Sequence, residues 1–432
     1  MESILILVFC IALLIVSITV VKVHPIPALL VAGLILGLAV GNDVSATTES
    51  LLSGFGNTLK WIGLVILFGT LLGEILAVSG GADVIADTII KTFGLKRLPL
   101  SMAIIGFLIG IPVFVDVAYL TLLPTILALS RKSGHSVLVL GLSLSMSLTV
   151  AHAMIPPTPG PLAVPAILEL EVGEIILPNV LTAIFAITGG FLFIRFNKKK
   201  LQLKANSEAV AEEATGSNLE GIYRVLPFAA LLLPLALMAA GNFASEESQF
   251  ISFIKNPIWA LMIGVAISLP LLQKKNFSEN LNNLINEAAK KSAIVILITG
   301  AGGAFGQVIK DTKIVNSLFT DAGNLTTISI LVPFFLSMLF TTVTGSITVA
   351  LITTSSIMAP LVFDGMLDAR LAASAICAGS LGMIHVNSSF FWLFKEVHQL
   401  SVGKVLKSFS ILSAIVALSG GLFVFIYSLI GQ

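Results

Sequence analysis

The feature that most constrains this chain is a succession of solid apolar runs of about 18 to 22 residues, the length a helix needs to cross ~30 Å of hydrocarbon. They lie near residues 3–21, 26–41, 60–79, 175–194, 225–241, 257–273, 291–310 and 408–430. They do not alternate apolar with polar, so they do not read as the ~10-residue strands of a transmembrane barrel. Backbone inside lipid must then be satisfied by helices, and the expected fold is an all-α polytopic membrane protein. Composition agrees: 56% of the 432 residues are hydrophobic and 11% charged, with mean hydropathy +1.03. That leaves too little polar surface for a water-soluble body of this size.

With net charge +1 and no basic patch, the lipid bilayer is an expected partner and nucleic acid is not. Cys10 and Cys377 both sit in apolar runs, far from any Cys-x-x-Cys spacing, and read as core residues. The opening Met1-Glu2-Ser3 lacks the basic start of a signal peptide, so the first helix is expected to be retained.

Two regions are too long for single spans. Residues 99–130 are interrupted by Gly110-Ile111-Pro112 and read as a re-entrant hairpin. Residues 135–170 are broken by Pro156-Pro157-Thr158-Pro159-Gly160-Pro161 and read as a discontinuous helix. The second half repeats the plan, with a hairpin near 325–363 and a broken helix near 371–400. Gly69 and Gly302, Gly73 and Gly306, and His152 and His385 are each 233 positions apart, and amphipathic stretches near 44–58 and 276–289 also correspond. Gly-xxx-Gly motifs such as Gly69–Gly73 and Gly302–Gly306 also arise from helix packing alone; the shared order of elements favours a repeat. The expected organisation is a first repeat over 1–196, a cytoplasmic linker over 197–222 and a second repeat over 223–432.

Orientation follows from the basic residues. With the N-terminus outside, Lys22, Lys91, Lys96, Arg97, Arg131, Lys132, Arg195, Lys198–Lys200, Lys204, Arg224, Lys274, Lys275, Lys290, Lys291, Lys404 and Lys407 are expected inside, and few basic residues remain outside. The two halves then enter from opposite sides, as inverted-topology repeats. Such repeats with broken helices are the sequence sign of a secondary transporter, because unwound backbone at membrane depth is tolerated where it lines a cavity. Half-helix N-termini there suit a small anionic substrate. No Walker motif points to ATP drive.

The candidate residues cluster at the interruptions. Asp116, four residues past Pro112 beside Val113 and Phe114, has no basic residue between Arg97 and Arg131 and is a candidate proton carrier; an interhelical hydrogen bond without transport role is the alternative. His152 and His385 could titrate, contact substrate hydroxyls or cap their broken helices. A metal held between them, as in an intramembrane hydrolase, is a remote alternative, since no acid or cysteine stands at ligand spacing; no cofactor is expected. Thr158, Pro159 and Gly160 at the first break, and Asn387 and Ser388 at the second, offer polar groups to substrate. In the second hairpin Thr344, Gly345, Ser346 and Thr348 could hold a carboxylate or a sodium ion, or serve as helix-packing hydroxyls. Glu74 reads as a packing residue from its mate Gln307, and Lys395-Glu396 as a local ion pair.

At these residues the chain resembles the gluconate permease family, the gluconate:proton symporters of the ion transporter superfamily. The most specific matches are Pro156–Pro161 after His152, Gly345-Ser346-Ile347-Thr348-Val349-Ala350, and His385-Val386-Asn387 leading into Phe391–Glu396. The resemblance covers nearly the whole chain. It implies proton-coupled uptake of a sugar acid or related hydroxy-carboxylate across the bacterial inner membrane, an elevator-like movement and, from related members, a homodimer. Sodium coupling is the alternative. The gluconate-type pattern has an arginine where this chain has Thr341, an acid and a proline at Ser388 and Ser389, a histidine at Thr158 and a glutamate at Asp116, which bears on the substrate rather than the fold.

Overall fold

The computed structural model describes residues 2–203, 221–240, 253, 256–272, 277–312 and 330–430. Most of the expected linker, and the first residues of the expected second hairpin, lie outside them. Among the described residues the chain is helical and contains no strand.

Helices α1 (Glu2–Thr19) and α2 (Pro25–Ala39) pack together and lead into α3 (Val44–Val78). Asp43 starts α3, its carboxylate accepting the Ala46 N–H at 2.7 Å. The amphipathic stretch and the following span, read separately in the sequence, form one 35-residue helix bent by 42° near Lys60. The same holds for α12 (Phe277–Thr312), 36 residues long. Neither contains a proline, so nothing ends the helix where hydropathy changes. Glu74 was expected only to pack. Instead it accepts a hydrogen bond from Lys291 of α12 at 2.6 Å, because α3 and α12 cross antiparallel, with Gly54 against Gly303 near one end and Glu74 against Lys291 near the other.

Helix α4 (Gly81–Phe93), absent from the hydropathy reading, turns 105° into the segment carrying α5 (Leu98–Gly110). Its Asp83, Asp87 and Lys91 hide it among polar breaks. A turn over 111–114 joins α5 to α6 (Val115–Ser133). α7 (Val137–Met154) and α8 (Pro159–Ile167) are the two parts of the first broken helix, and α9 (Val172–Phe196) closes the first half. Then follow α10 (Leu226–Ala240), α11 (Pro257–Ser268), α12, and α13 (Leu331–Thr344) turning into α14 (Ile347–Phe363). α15 (Ala369–Ser380), α16 (Ser389–Val397) and α17 (Val402–Ile430), with a π-helical stretch at Leu406–Ser410, complete the chain. Helices α3 and α12, α5 and α13, and α2 and α11 begin 233, 233 and 232 positions apart.

Every residue of α7 is buried, which makes it the central helix. It tolerates this because Ser143 and Thr149 donate to carbonyls one turn back and because Gly106 and Gly110 let α5 approach its backbone. By contrast, Leu177, Leu181, Ile184 and Phe185 on α9 face outward, as lipid contact requires. Basic residues sort by end: Lys91 and Arg224 share Asp87, whereas Lys310 pairs with Glu169 and Arg370 with Glu174.

Candidate functional site

The two helix–turn–helix units, the last turns of α7 and the second break meet around a cavity of about 210 Å³. Phe114, Val115 and Asp116 line it from the first turn, Thr149 and His152 from α7, Gly345 to Thr348 from the second turn, and Ile384 with Ser388, Ser389 and Phe390 from the second break. Residues far apart in sequence converge because three helices start here: α6 at Val115, α14 at Ile347 and α16 at Ser389. Each presents first-turn N–H groups without intrahelical partners. Ser346 takes one of these, accepting from Val349 N at 3.3 Å. Phe114 and Ser388 supply no side-chain cap to theirs. Three positive helix ends around one small volume form an anion-seeking environment.

Asp116 stands in the first turn of α6, half-buried, and among the described residues no cation pairs with it. Across the cavity, His152 is buried with Nδ1 lacking any hydrogen-bond partner among the described residues. Its ring centroid lies 5.8 Å from that of Phe114. A buried imidazole nitrogen without a partner costs free energy, and a ligand hydroxyl or carboxyl in the cavity would satisfy it.

The sequence-expected residues thus divide. Phe114, Asp116, His152, Gly345, Ser346, Thr348 and Ser388 line the cavity. The others support it from behind. Val113 is buried beneath the first turn. The Thr158 hydroxyl donates to the carbonyls of His152 and Ile155, at 3.0 and 2.9 Å, closing the end of α7. Pro159 opens α8, and a side chain at Gly160 would stand 2.7 Å from Leu351. Thr344 donates to Phe340 O and accepts from Ser346 N.

His385 and Asn387 act together at the second turn. His385 Nε2 donates to Thr342 O at 2.6 Å, and Asn387 Nδ2 reaches Thr342 O and Val343 O at 2.8 and 2.9 Å. They occupy carbonyls that the end of α13 leaves free, so they clasp the break to the turn. Gly345 is obligatory beside them: its φ is +74°, and a Cβ there would lie 2.5 Å from Asn387 O. His152 lines the cavity and His385 does not, and among the described residues no group of three His, Cys, Asp or Glu side chains is placed to hold a metal ion. Thr341, where the gluconate-type pattern has arginine, spends its hydroxyl on Ser380 O at 2.8 Å. Lys395 and Glu396 pair at 2.6 Å as read from the sequence.

Several positioning residues carried no sequence signal. Asn179 of α9 donates to Met154 O at 2.9 Å and accepts from Ser374 at 2.8 Å, joining α7, α9 and α15. Ser413 accepts from Ile384 N at 2.9 Å and holds the second break. Tyr119, one turn beyond Asp116, shares a 2.6 Å hydrogen bond with His398 within a cluster of Phe390, Phe394 and Phe409. Their partners are distant in sequence, so no local pattern reveals them.

The sequence model of the GntP family permease matches residues 2–430. A gluconate permease of Pseudomonas aeruginosa is 32% identical over 430 residues, covering 96% of this chain and 95% of that protein. The Gnt-II system L-idonate transporter of Escherichia coli is 30% identical, covering 95% of each. Among solved structures, the crystal structure of the Alcanivorax borkumensis YdaH transporter shares the fold at a TM-score of 0.73, over 95% of this chain and 99% of that one, with 12% identity.

Proposed function

This chain belongs to the GntP family of permeases of the bacterial inner membrane, and on that premise we propose that it is a proton-coupled symporter of a sugar acid or small hydroxy-carboxylate. Relatives named for gluconate and L-idonate support that substrate class. It is a transporter and not an enzyme.

The observation that carries the reading is the meeting of three helix N-termini with Asp116 and His152 around one cavity. A carboxylate suits the N–H groups, and His152 suits a hydroxyl. Asp116 then supplies the coupling: two negative charges cannot share about 210 Å³ unless one carries a proton. Anion and proton therefore enter together, and the departure of either favours release of the other. Sodium coupling is the second reading, favoured by the hydroxyls of Ser346 and Thr348 at the cavity.

For alternating access, the antiparallel α3 and α12 with their shared offset support two inverted repeats whose long helices form a scaffold. Against that scaffold the hairpins and broken helices move as one body, elevator-like. The interface is suited to sliding, since Gly69 and Gly73 of α3 bring it against the backbone of Pro157 and Pro112. Uptake of labelled gluconate, L-idonate and glycerate into proteoliposomes under imposed proton or sodium gradients tests the proposal. Uptake driven by the proton gradient alone is expected, with Asp116→Asn abolishing that drive while retaining substrate-induced thermal stabilisation. Proton-driven uptake by the Asp116→Asn protein at the wild-type rate would refute the role of Asp116; uptake driven only by sodium would refute proton coupling.

A further inference from the structure

A second cavity, remote from the first, lies where the ends of three segments converge. Lys96, Arg97, Pro99 and Leu100 line it from the entrance to α5, His135 and Val139 from the start of α7, and Phe191, Ile194, Arg195 and Lys198 from the end of α9. Its volume is about 390 Å³, within the range of small-ligand pockets. Its character is divided. Four permanent cations and a histidine form one part, and Pro99, Leu100, Val139, Phe191 and Ile194 form the other.

Among the described residues nothing compensates these cations. No acidic side chain lines the cavity, and none of Lys96, Arg97, Arg195 and Lys198 makes an ion pair among the described residues. Elsewhere on the same end Lys91, Arg224 and Lys291 do have acidic partners. His135 adds little to the excess: burial, followed by the Lys198 charge, holds its pKa below the ordinary histidine value and favours its neutral form. Such a concentration of like charge favours a bound anion. The cavity is also held in shape. After α9 the chain turns back, and Ser136 donates to Leu201 O at 2.6 Å, Leu203 N to Ser136 at 3.0 Å and Val137 N to Leu203 O at 3.0 Å. This fastens the segment bearing Lys198 to the start of α7.

The apolar part distinguishes among anions. Leu100 is partly exposed, and Leu192 and Phe196 next to the cavity on α9 are exposed beyond it. The apolar wall therefore continues onto a surface that faces lipid tails, at the membrane end where the basic residues gather. We infer that this cavity is a binding site for an anionic phospholipid, its phosphate held by Lys96, Arg97, Arg195 and Lys198 and its acyl chains lying against Leu100, Phe191 and Leu192. A free phosphate would use the cations and leave the apolar wall empty. A carboxylate-bearing segment of this chain, such as the one with Glu208, Glu212 and Glu213, would use the cations but brings only Val210 and small alanines to the wall, in place of long acyl chains. Basic pockets between spanning helices at the cytoplasmic face are suited to such headgroups.

The test is native mass spectrometry of the detergent-purified full-length protein with phosphatidylglycerol or phosphatidylcholine, alongside thermal unfolding with the same lipids or inorganic phosphate. Phosphatidylglycerol is expected to be retained in preference and to raise the unfolding temperature, with phosphatidylcholine and phosphate having little effect. Each of Lys96→Gln, Arg97→Gln, Arg195→Gln and Lys198→Gln should weaken retention by about fivefold, while Lys404→Gln with Lys407→Gln should not. Equal losses in both sets would overturn the site in favour of diffuse surface charge. Stabilisation by inorganic phosphate equal to that by the lipid would make it a free-anion pocket. Preferential lipid retention only after Glu208, Glu212 and Glu213 are changed to Gln would make the chain's own acidic segment the occupant.

Discussion

Two glycines related by the 233-residue offset, Gly73 and Gly306, allow the proposed movement to be tested with one methyl group each. Gly73 lies against the turn between α5 and α6, and a Cβ there would overlap the Pro112 carbonyl oxygen, whose carbon would be only 2.8 Å away. The obstacle is backbone, so it cannot rotate aside. Gly306 meets nothing closer than Ser356 O at 3.5 Å, an ordinary contact. Alanine gains about 1 kcal/mol of helix propensity at either site. At Gly73 the overlap with rigid backbone puts overpacking toward the upper end of about 1–3 kcal/mol, which outweighs that gain; at Gly306 nothing does. Gly73→Ala is therefore expected to lower the unfolding temperature of the purified protein, and Gly306→Ala to leave it unchanged or raise it slightly. Transport should depart from stability. If inverted halves exchange conformations during the cycle, Gly306 must approach the second turn at Gly345, which stands 233 positions after Pro112. The Gly306→Ala methyl would then penalise only the other state, and each ~1.4 kcal/mol of penalty would slow exchange about tenfold. Initial rates in proteoliposomes at saturating substrate measure this. Wild-type uptake by a stable Gly306→Ala protein would refute the exchange, and an unfolding temperature for Gly73→Ala equal to wild type would refute the contact from which it is deduced.

Two further substitutions test the supports of the site. Tyr119→Phe leaves His398 buried without its 2.6 Å partner and is expected to cost about 1–3 kcal/mol, seen as a lower unfolding temperature with no change in the pH profile of uptake; an altered profile would mean that Tyr119 belongs to the proton path. Asn179→Ala opens both the Met154 and Ser374 bonds and should cost about 2–4 kcal/mol while leaving substrate discrimination among hydroxy-carboxylates unchanged, as binding assays with each would check.

The all-α character was legible because hydropathy records what lipid demands of each segment. The interruptions were equally plain, since Gly110-Ile111-Pro112 and the crowded prolines of Pro156–Pro161 break the helix, whereas single prolines such as Pro124 and Pro178 are carried inside α6 and α9. Asp116 and His152 stood out because titratable groups are conspicuous in apolar sequence. Hydropathy is blind where polar and apolar residues mix on one helix, which concealed α4 and split α3 and α12 at boundaries the backbone does not observe. It was also silent on the division of labour at the second break. His385 and Asn387 have the chemistry to bind substrate, yet the carbonyls that end α13 at Gly345 take their hydrogen bonds. That demand exists only once the turn has formed, so residue type alone does not reveal it.

The polar bonds that cross this molecule also bear on how it is made. Asn179 meets Ser374, 195 residues later; Glu74 meets Lys291 after 217 and Tyr119 meets His398 after 279. In each case the earlier partner belongs to the half synthesised first. A ribosome that has delivered only that half has placed in the bilayer an amide oxygen, a carboxylate and a phenol whose partners do not yet exist, and hydrocarbon gives them no substitute. The half-made protein must keep these groups near water or chaperoned until the later helices arrive. Its final closure is an event of late synthesis, and a messenger truncated after α9 should yield a product that quality control removes.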